Sequence, residues 1–213
     1  MPENYGERHE KDENLENQEQ KAEREKWEKP DHFEKRYKLK PNETYEAGEG
    51  KYEYKTDKQG RITECNGTLK LCPETERNNY AQLKAGGEDR RPGDEGGHLI
   101  ARRFGGSKEI DNMVALDGSL NKNEYKKMED SWEKTLKEKD EDGEQKYDVD
   151  VHIVCEYKDK NESTGKKDSQ RPSDVNVYAT TKDAKTGEAV DQQLYHYHNN
   201  EGTMNHQNKT IKK

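Results

Sequence analysis

Apolar side chains are in short supply in this chain. Hydrophobic residues make up 25% of its 213 positions, against 40% charged, and there are only two Phe and two Trp. That is too little to build a compact core along the whole length, so part of the chain must be solvated helix, tail or loop. No segment approaches the roughly 20 apolar residues needed to cross a bilayer as a helix. The N-terminus lacks the apolar stretch of a cleavable signal peptide. Cysteine is also sparse: Cys65, Cys72 and Cys155, with no C-x-x-C pair. An odd count without that spacing excludes a zinc-ribbon pattern and a disulfide framework. Cys65 and Cys72 could pair if a hairpin brought them together, but free thiols in a reduced compartment are the expectation. The net charge of -8 argues against broad nucleic-acid binding through surface charge. It leaves room for a local positive site. No internal repeat is visible.

What is present divides into three stretches. Residues 1–40 read as a charged lead-in, helical or disordered, with opposite charges at i,i+3 and i,i+4. Residues 41–200 read as one folded domain, and 201–213 as a polar tail, frayed from Asn199. Within the domain, Thr44 to Lys55 and Arg61 to Leu71 carry strand composition, with Asn66-Gly67 as a turn pair. Asn78 to Leu83 suggests a short helix, and Glu88 to Gly97 a loop. Leu120 to Lys139 predicts the main helix, with Leu120, Tyr125, Met128, Trp132 and Leu136 along one stripe. Asp117 or Ser119 can cap its start and Gly143 can close its end. Tyr147 to Tyr157 alternates cleanly, and Ser173 to Thr181 and Val190 to Tyr197 read as further strands. The fold class expected is α+β, a twisted antiparallel sheet packed on helices.

The chemistry concentrates in Gly93 to Gly105, G-D-E-G-G-H-L-I-A-R-R-F-G. Imidazole can take a proton from water near neutral pH. Glycine lets backbone approach a phosphate, and arginine offers phosphate a planar fork. Between Lys84 and Lys108 six basic residues face four acidic ones, so this segment is mildly positive within an acidic chain. About twenty residues beyond His98, Asn121 falls in the first helical turn and Glu129 two turns on. An amide oxygen is a suitable ligand for Mg²⁺, which keeps most of its waters and needs few protein ligands. Each residue also has an ordinary reading: His98 as a solvated loop residue, Asn121 as a helix cap, Glu129 as a salt-bridge partner, Arg102 and Arg103 as stems over apolar surface. His196 and His198 share one strand face, a possible ligand spacing. Cross-strand packing is the expected role, because no carboxylate or cysteine completes the set nearby.

Taken together, D-R-R-P-G-D-E-G-G-H-L-I-A-R-R-F-G-G, D-N-M-V and L-N-K-N-E-Y-K-K-M-E, from Arg90 to Trp132, resemble the DNA/RNA non-specific endonucleases of the ββα-metal class. The nearest branch is the nuclease toxin domains of type VII secretion effectors. The resemblance implies a ββα-metal motif over roughly His98 to Lys139. It places the family's general base on His98, its metal-binding asparagine on Asn121 and its water-orienting glutamate on Glu129. Two features depart from the family pattern. Glu95-Gly96-Gly97-His98 lacks the arginine of Asp-Arg-Gly-His, and Leu116 stands where that branch has glutamine. The arginine role therefore falls to Arg90, Arg91, Arg102 or Arg103, with Arg90 favoured for its glycine-rich loop and the others as substrate contacts.

By the same resemblance the expected activity is Mg²⁺- or Mn²⁺-dependent endonuclease hydrolysis of DNA, with RNA as a second substrate. The expected setting is the toxin domain of a secreted antibacterial effector used in interbacterial competition. It would leave by a type VII-like route without a cleavable signal peptide, act in the target-cell cytoplasm and be held in check by a cognate immunity protein. No membrane segment is expected. The alternative is a catalytically inactive, acidic interaction module on a nuclease scaffold.

Overall fold

A computed structural model describes residues 27–73, 76–157, 169–200 and 209–210. Most of the charged lead-in and most of the polar tail lie outside these. Two short strands, β1 (Phe33–Lys35) and β2 (Lys38–Leu39), pair with each other. Strands β3 (Thr44–Ala47), β4 (Tyr52–Thr56) and β5 (Ile62–Thr68) form a meander. A one-turn helix follows, α1 (Asn79–Lys84), capped by the Asn78 side chain. Then come β6 (Asp94–His98) and β7 (Met113–Asp117), an antiparallel pair standing apart from the main sheet. The main helix, α2, runs unbroken through Gly118–Leu120, a π-helical turn at Asn121–Tyr125, and Lys126–Leu136. Three long strands close the fold: β8 (Tyr147–Glu156), β9 (Asp174–Asp183) and β10 (Ala189–His198). A short β11 (Lys209–Thr210) borders β10. The seven-stranded sheet has the order β11-β10-β9-β8-β5-β4-β3, every pairing antiparallel. The α+β expectation holds.

The period-2 pattern of β8 turns Val149, Val151, Ile153 and Cys155 inward, toward the Met128–Trp132–Leu136 stripe of α2 in one apolar core. All three cysteines are free. The scarce apolar residues are thus gathered between α2 and one face of the sheet, and β6–β7 closes the same core with Val114 and Leu116.

Several expectations need correction. Phe33 and Leu39, placed in the lead-in by composition, are core residues. Asn66-Gly67 makes no turn: β5 runs straight through it, and glycine stands there because a side chain would meet the Tyr52 ring at 2.6 Å. Glu88 to Gly97 is not all loop, since its second half is β6, whose glycines gave no strand signal. α2 ends at Leu136, and Gly143 lies beyond it in the turn that Asp140 caps. Asn199 is not frayed. Fully buried, it donates to the carbonyls of Ala115 and Pro172 at 2.8 Å each and accepts from the Asp117 amide at 2.8 Å.

Candidate functional site

β6, β7 and α2 are consecutive, and His98 ends the first while Asn121 opens the second turn of the last. Asp117 starts α2 by accepting from the amides of Ser119 and Leu120, both at 3.0 Å. The next turn is π-helical. Such single wide turns re-aim side chains and recur at functional sites. Here the wide turn carries Asn121.

The glycines on either side make the approach possible. A Cβ on Gly96 would lie 2.4 Å from the Gln82 carbonyl oxygen of α1. One on Gly97 would lie 2.5 Å from Leu116 and 3.0 Å from the Asn121 Oδ1. Any larger residue would push against the amide oxygen beside His98. The Asn121 Nδ2 donates to Glu95 Oε2 at 3.0 Å, which fixes the amide orientation and turns Oδ1 the other way. Glu95 in turn meets Lys122 at 2.5 Å. Burial raises the Glu95 pKa, but the bonds from Lys122 and Asn121 outweigh it and keep the carboxyl below its ordinary value.

The loop after His98 is held from within. Fully buried Asn112 accepts from the Ile100 amide at 3.0 Å and donates to the carbonyls of Ile100 and Ser107 at 2.8 and 2.9 Å. Tyr54 donates to the same amide oxygen at 2.8 Å. Tyr125 donates to the Leu99 carbonyl at 3.0 Å, tying the π-turn to the residue after the histidine.

His98, Asn121 and Glu129 line one cleft of about 330 Å³ together with Glu95. Five cations join them: Arg77, Arg102, Arg103, Lys122 and Lys126. An acidic chain therefore carries a locally basic cleft, suited to a polyanion. His98 Nε2 is out of contact with solvent and has no hydrogen-bond partner among the described residues. Burial, then the charges of Arg102 and Arg77, push the His98 pKa down to about 4. The imidazole is thus neutral at pH 7. Burial pushes Glu129 the other way, up to about 8, and Arg103 only partly offsets it. Arg103 lies 3.6 Å from Glu129 but 2.7 and 2.8 Å from Asp130 and Glu133, so its charge is shared among three carboxylates. Arg102 donates to the Gly106 carbonyl and meets Glu49 at 3.3 Å.

Arg90 and Arg91 are placed differently from the expectation, since neither lines the cleft. The Arg90 guanidinium donates to the carbonyls of Gln82 and Asp94 at 2.5 and 2.6 Å and so braces β6. The Arg91 amide donates to Asp94 Oδ2 at 2.8 Å. Sequence reasoning missed Arg77, an exposed residue before α1 whose charge reaches both His98 and Glu129. It lies twenty-one positions upstream of the histidine, outside any motif, and only the fold of α1 against β6 brings it in.

The depressed His98 pKa has a consequence for stability. The unfolded chain protonates this imidazole below about 6.5 and the folded chain only below about 4. Between those values the unfolded state holds more protons, so the folded state loses stability as pH drops from 6.5 to 4. Urea unfolding of wild type should lose on the order of 3 kcal/mol relative to His98→Gln over that window. A difference between the two proteins that does not change with pH contradicts the assignment.

Paired strands followed by a helix, presenting a neutral histidine and an asparagine to a basic cleft, define the class: an α+β protein with the ββα-metal unit of nucleases. The chain belongs to the DNA/RNA non-specific endonuclease family, whose model matches residues 41–183. It is 44% identical over 104 residues to the type VII secretion system protein EssD of Staphylococcus aureus strains USA300 and NCTC 8325 / PS 47. That match covers 46% of this chain, which spans only about 17% of the length of these relatives. The fold is also similar to a chain in the crystal structure of the EndoG/EndoGI complex. There the TM-score is 0.50 at 13% identity, covering 75% of this chain and 76% of that one. The domain is thus an endonuclease of the hydrolase class, in a family that depends on a metal ion.

Proposed function

We propose that the domain cleaves DNA, and RNA as a second substrate, by metal-assisted hydrolysis with His98 as general base. One observation carries this reading: a neutral imidazole, its Nε2 without a partner among the described residues, lines the same cation-rimmed cleft as an amide oxygen turned toward its strand. The donor set fits a hard, mostly hydrated ion, with Asn121 Oδ1 as the direct ligand and Glu129 orienting bound water. When bound there, Mg²⁺ or Mn²⁺ would supply positive charge for the scissile phosphate and the departing 3′ oxygen.

The chain's own groups do the rest. His98 accepts the proton of a water that attacks phosphorus in line, and burial keeps the imidazole ready by disfavouring its charged form. Arg77, Arg102 and Arg103 bind substrate phosphates and offset growing negative charge. Arg77 replaces Arg90 in this role, because Arg77 lines the cleft and Arg90 does not. Glu95 fixes the Asn121 amide, and Gly97 gives it room.

The relatives are type VII secretion system proteins, which supports export of this domain as part of a longer effector by that route. A nuclease without sequence preference endangers its producer, so a cognate immunity protein should cover the cleft until release into a competitor's cytoplasm. Among the described residues no helix is long and apolar enough to cross a membrane.

The purified protein should convert plasmid to a smear when Mg²⁺ or Mn²⁺ is present and leave it intact in EDTA. Plasmid that survives all divalent ions would favour the inactive interaction module instead.

A further inference from the structure

We propose a second metal site, built for a borderline ion such as Zn²⁺, on the face of the large sheet turned away from the nuclease cleft. Its residues are His196, His198 and Asp174, whose ligand atoms all lie within 4.8 Å of one another. The expectation that no carboxylate completes the histidine pair is overturned by register. β9 pairs antiparallel with β10, which sets Asp174 directly opposite His198 and Asn176 opposite His196. Alternation along β10 sends Tyr195 and Tyr197 toward Trp132 and Tyr125 of α2. It sends His196 and His198 to the opposite face. None of the three residues lines the cleft.

The hydrogen bonds decide what the rings can do. Asn176 Nδ2 donates to Glu156 Oε1 at 2.7 Å, so its Oδ1 is the atom that faces His196. His196 Nδ1–H donates to that oxygen, and His198 Nδ1–H donates to Asp174 Oδ1. Both Nδ1 atoms therefore carry protons. In the neutral rings both Nε2 atoms are then bare lone pairs, and they face each other at 3.3 Å. Two acceptors at that distance repel unless a cation lies between them. Ligands about 2.0–2.1 Å from a tetrahedral Zn²⁺ lie roughly 3.3–3.4 Å apart. Metal-binding histidines also commonly donate their other ring N–H to a carboxylate or carbonyl, as both do here. Asp174 Oδ1 lies 3.5 Å from His196 Nε2 and supplies the negative charge. The two imidazoles are a third or more exposed, so water can fill the remaining positions. Imidazole donors favour Zn²⁺ over the hard Mg²⁺ assigned to the cleft. A bound ion would clamp β9 to β10.

The test is calorimetric titration of the full chain with Zn²⁺ on an Asn121→Ala background, which removes the cleft ligand. One Zn²⁺ should still bind, and thermal unfolding should shift upward with it. Adding His196→Gln and His198→Gln should weaken that binding at least 100-fold and abolish the thermal shift. Asp174→Asn alone should cost about tenfold. Far-ultraviolet circular dichroism checks that each variant folds, and His198→Gln alone, at a half-exposed ring, serves if the double variant does not. Undiminished Zn²⁺ binding in the histidine variants overturns the proposal. So does an absence of Zn²⁺ binding in the Asn121→Ala parent, which would leave a proton shared between the rings. Plasmid cleavage by otherwise wild-type protein should survive His196→Gln and His198→Gln, so this site and the nuclease reading fail separately.

Discussion

His98→Ala should lower plasmid cleavage by about 10²–10⁴-fold, the usual worth of a positioned general base. The folded state should survive, because His98 Nε2 bonds to nothing among the described residues and its removal orphans no partner. A ring nitrogen buried without a hydrogen bond costs stability and gives none back. Its retention calls for a use, and the cleft provides one. The loss should sit mainly in kcat, since the imidazole acts on the proton of the attacking water and phosphate contacts come from the arginines. Arg77→Ala, by contrast, should raise KM and make the dependence on salt shallower, as expected when a phosphate contact is lost. Wild-type kcat in His98→Ala, measured on folded protein, removes the base from the mechanism.

The second large effect concerns stability. Arg171 and Asp94 form a bidentate pair at 2.7 and 2.9 Å, with side chains only 4% and 2% exposed. Arg171 also donates to the Asn199 carbonyl, and Asn199 reaches β7. Through these contacts the start of β6 is bolted to the segments flanking β9 and β10. Asp94→Ala leaves a buried guanidinium uncompensated, which typically costs about 3–5 kcal/mol. For a chain of this size that is a Tm lower by roughly 6–20 °C. Asp94→Leu combined with Arg171→Met should recover much of the loss, because an apolar pair carries no desolvation penalty. A melting temperature within a degree or two of wild type in Asp94→Ala would show that the pair holds nothing in place.

Sequence reading reached the elements whose signal is local. The stripe on α2 and the alternation of β8 predict their own burial, and motif spacing singled out the histidine and asparagine that line one cleft. β6 was missed because Gly96 and Gly97 carry no strand propensity. They are there to admit Gln82 on one side and Asn121 on the other, a tertiary requirement. Arg90 was favoured for its position in the chain, yet its five donors suit it to bracing backbone carbonyls. Arg77, which lines the cleft, comes from a segment with no motif. The Asp174–His198 pairing depends on strand register carried to the far end of a hairpin, 24 positions apart in the chain, which composition does not encode. The misses at β6, Arg77 and Asp174 come from contacts between segments, whereas the stripe of α2 and the alternation of β8 each lie within one element.

The central claim is that His98 and Asn121 work as one centre in one cleft. Groups that act as a unit give non-additive losses. The most direct measurement is a double-mutant cycle in kcat/KM for plasmid cleavage, with His98→Ala, Asn121→Ala and the two combined. The double variant should be no slower than the worse single variant. Independent losses that multiply, or single variants as fast as wild type, would contradict a shared hydrolytic centre.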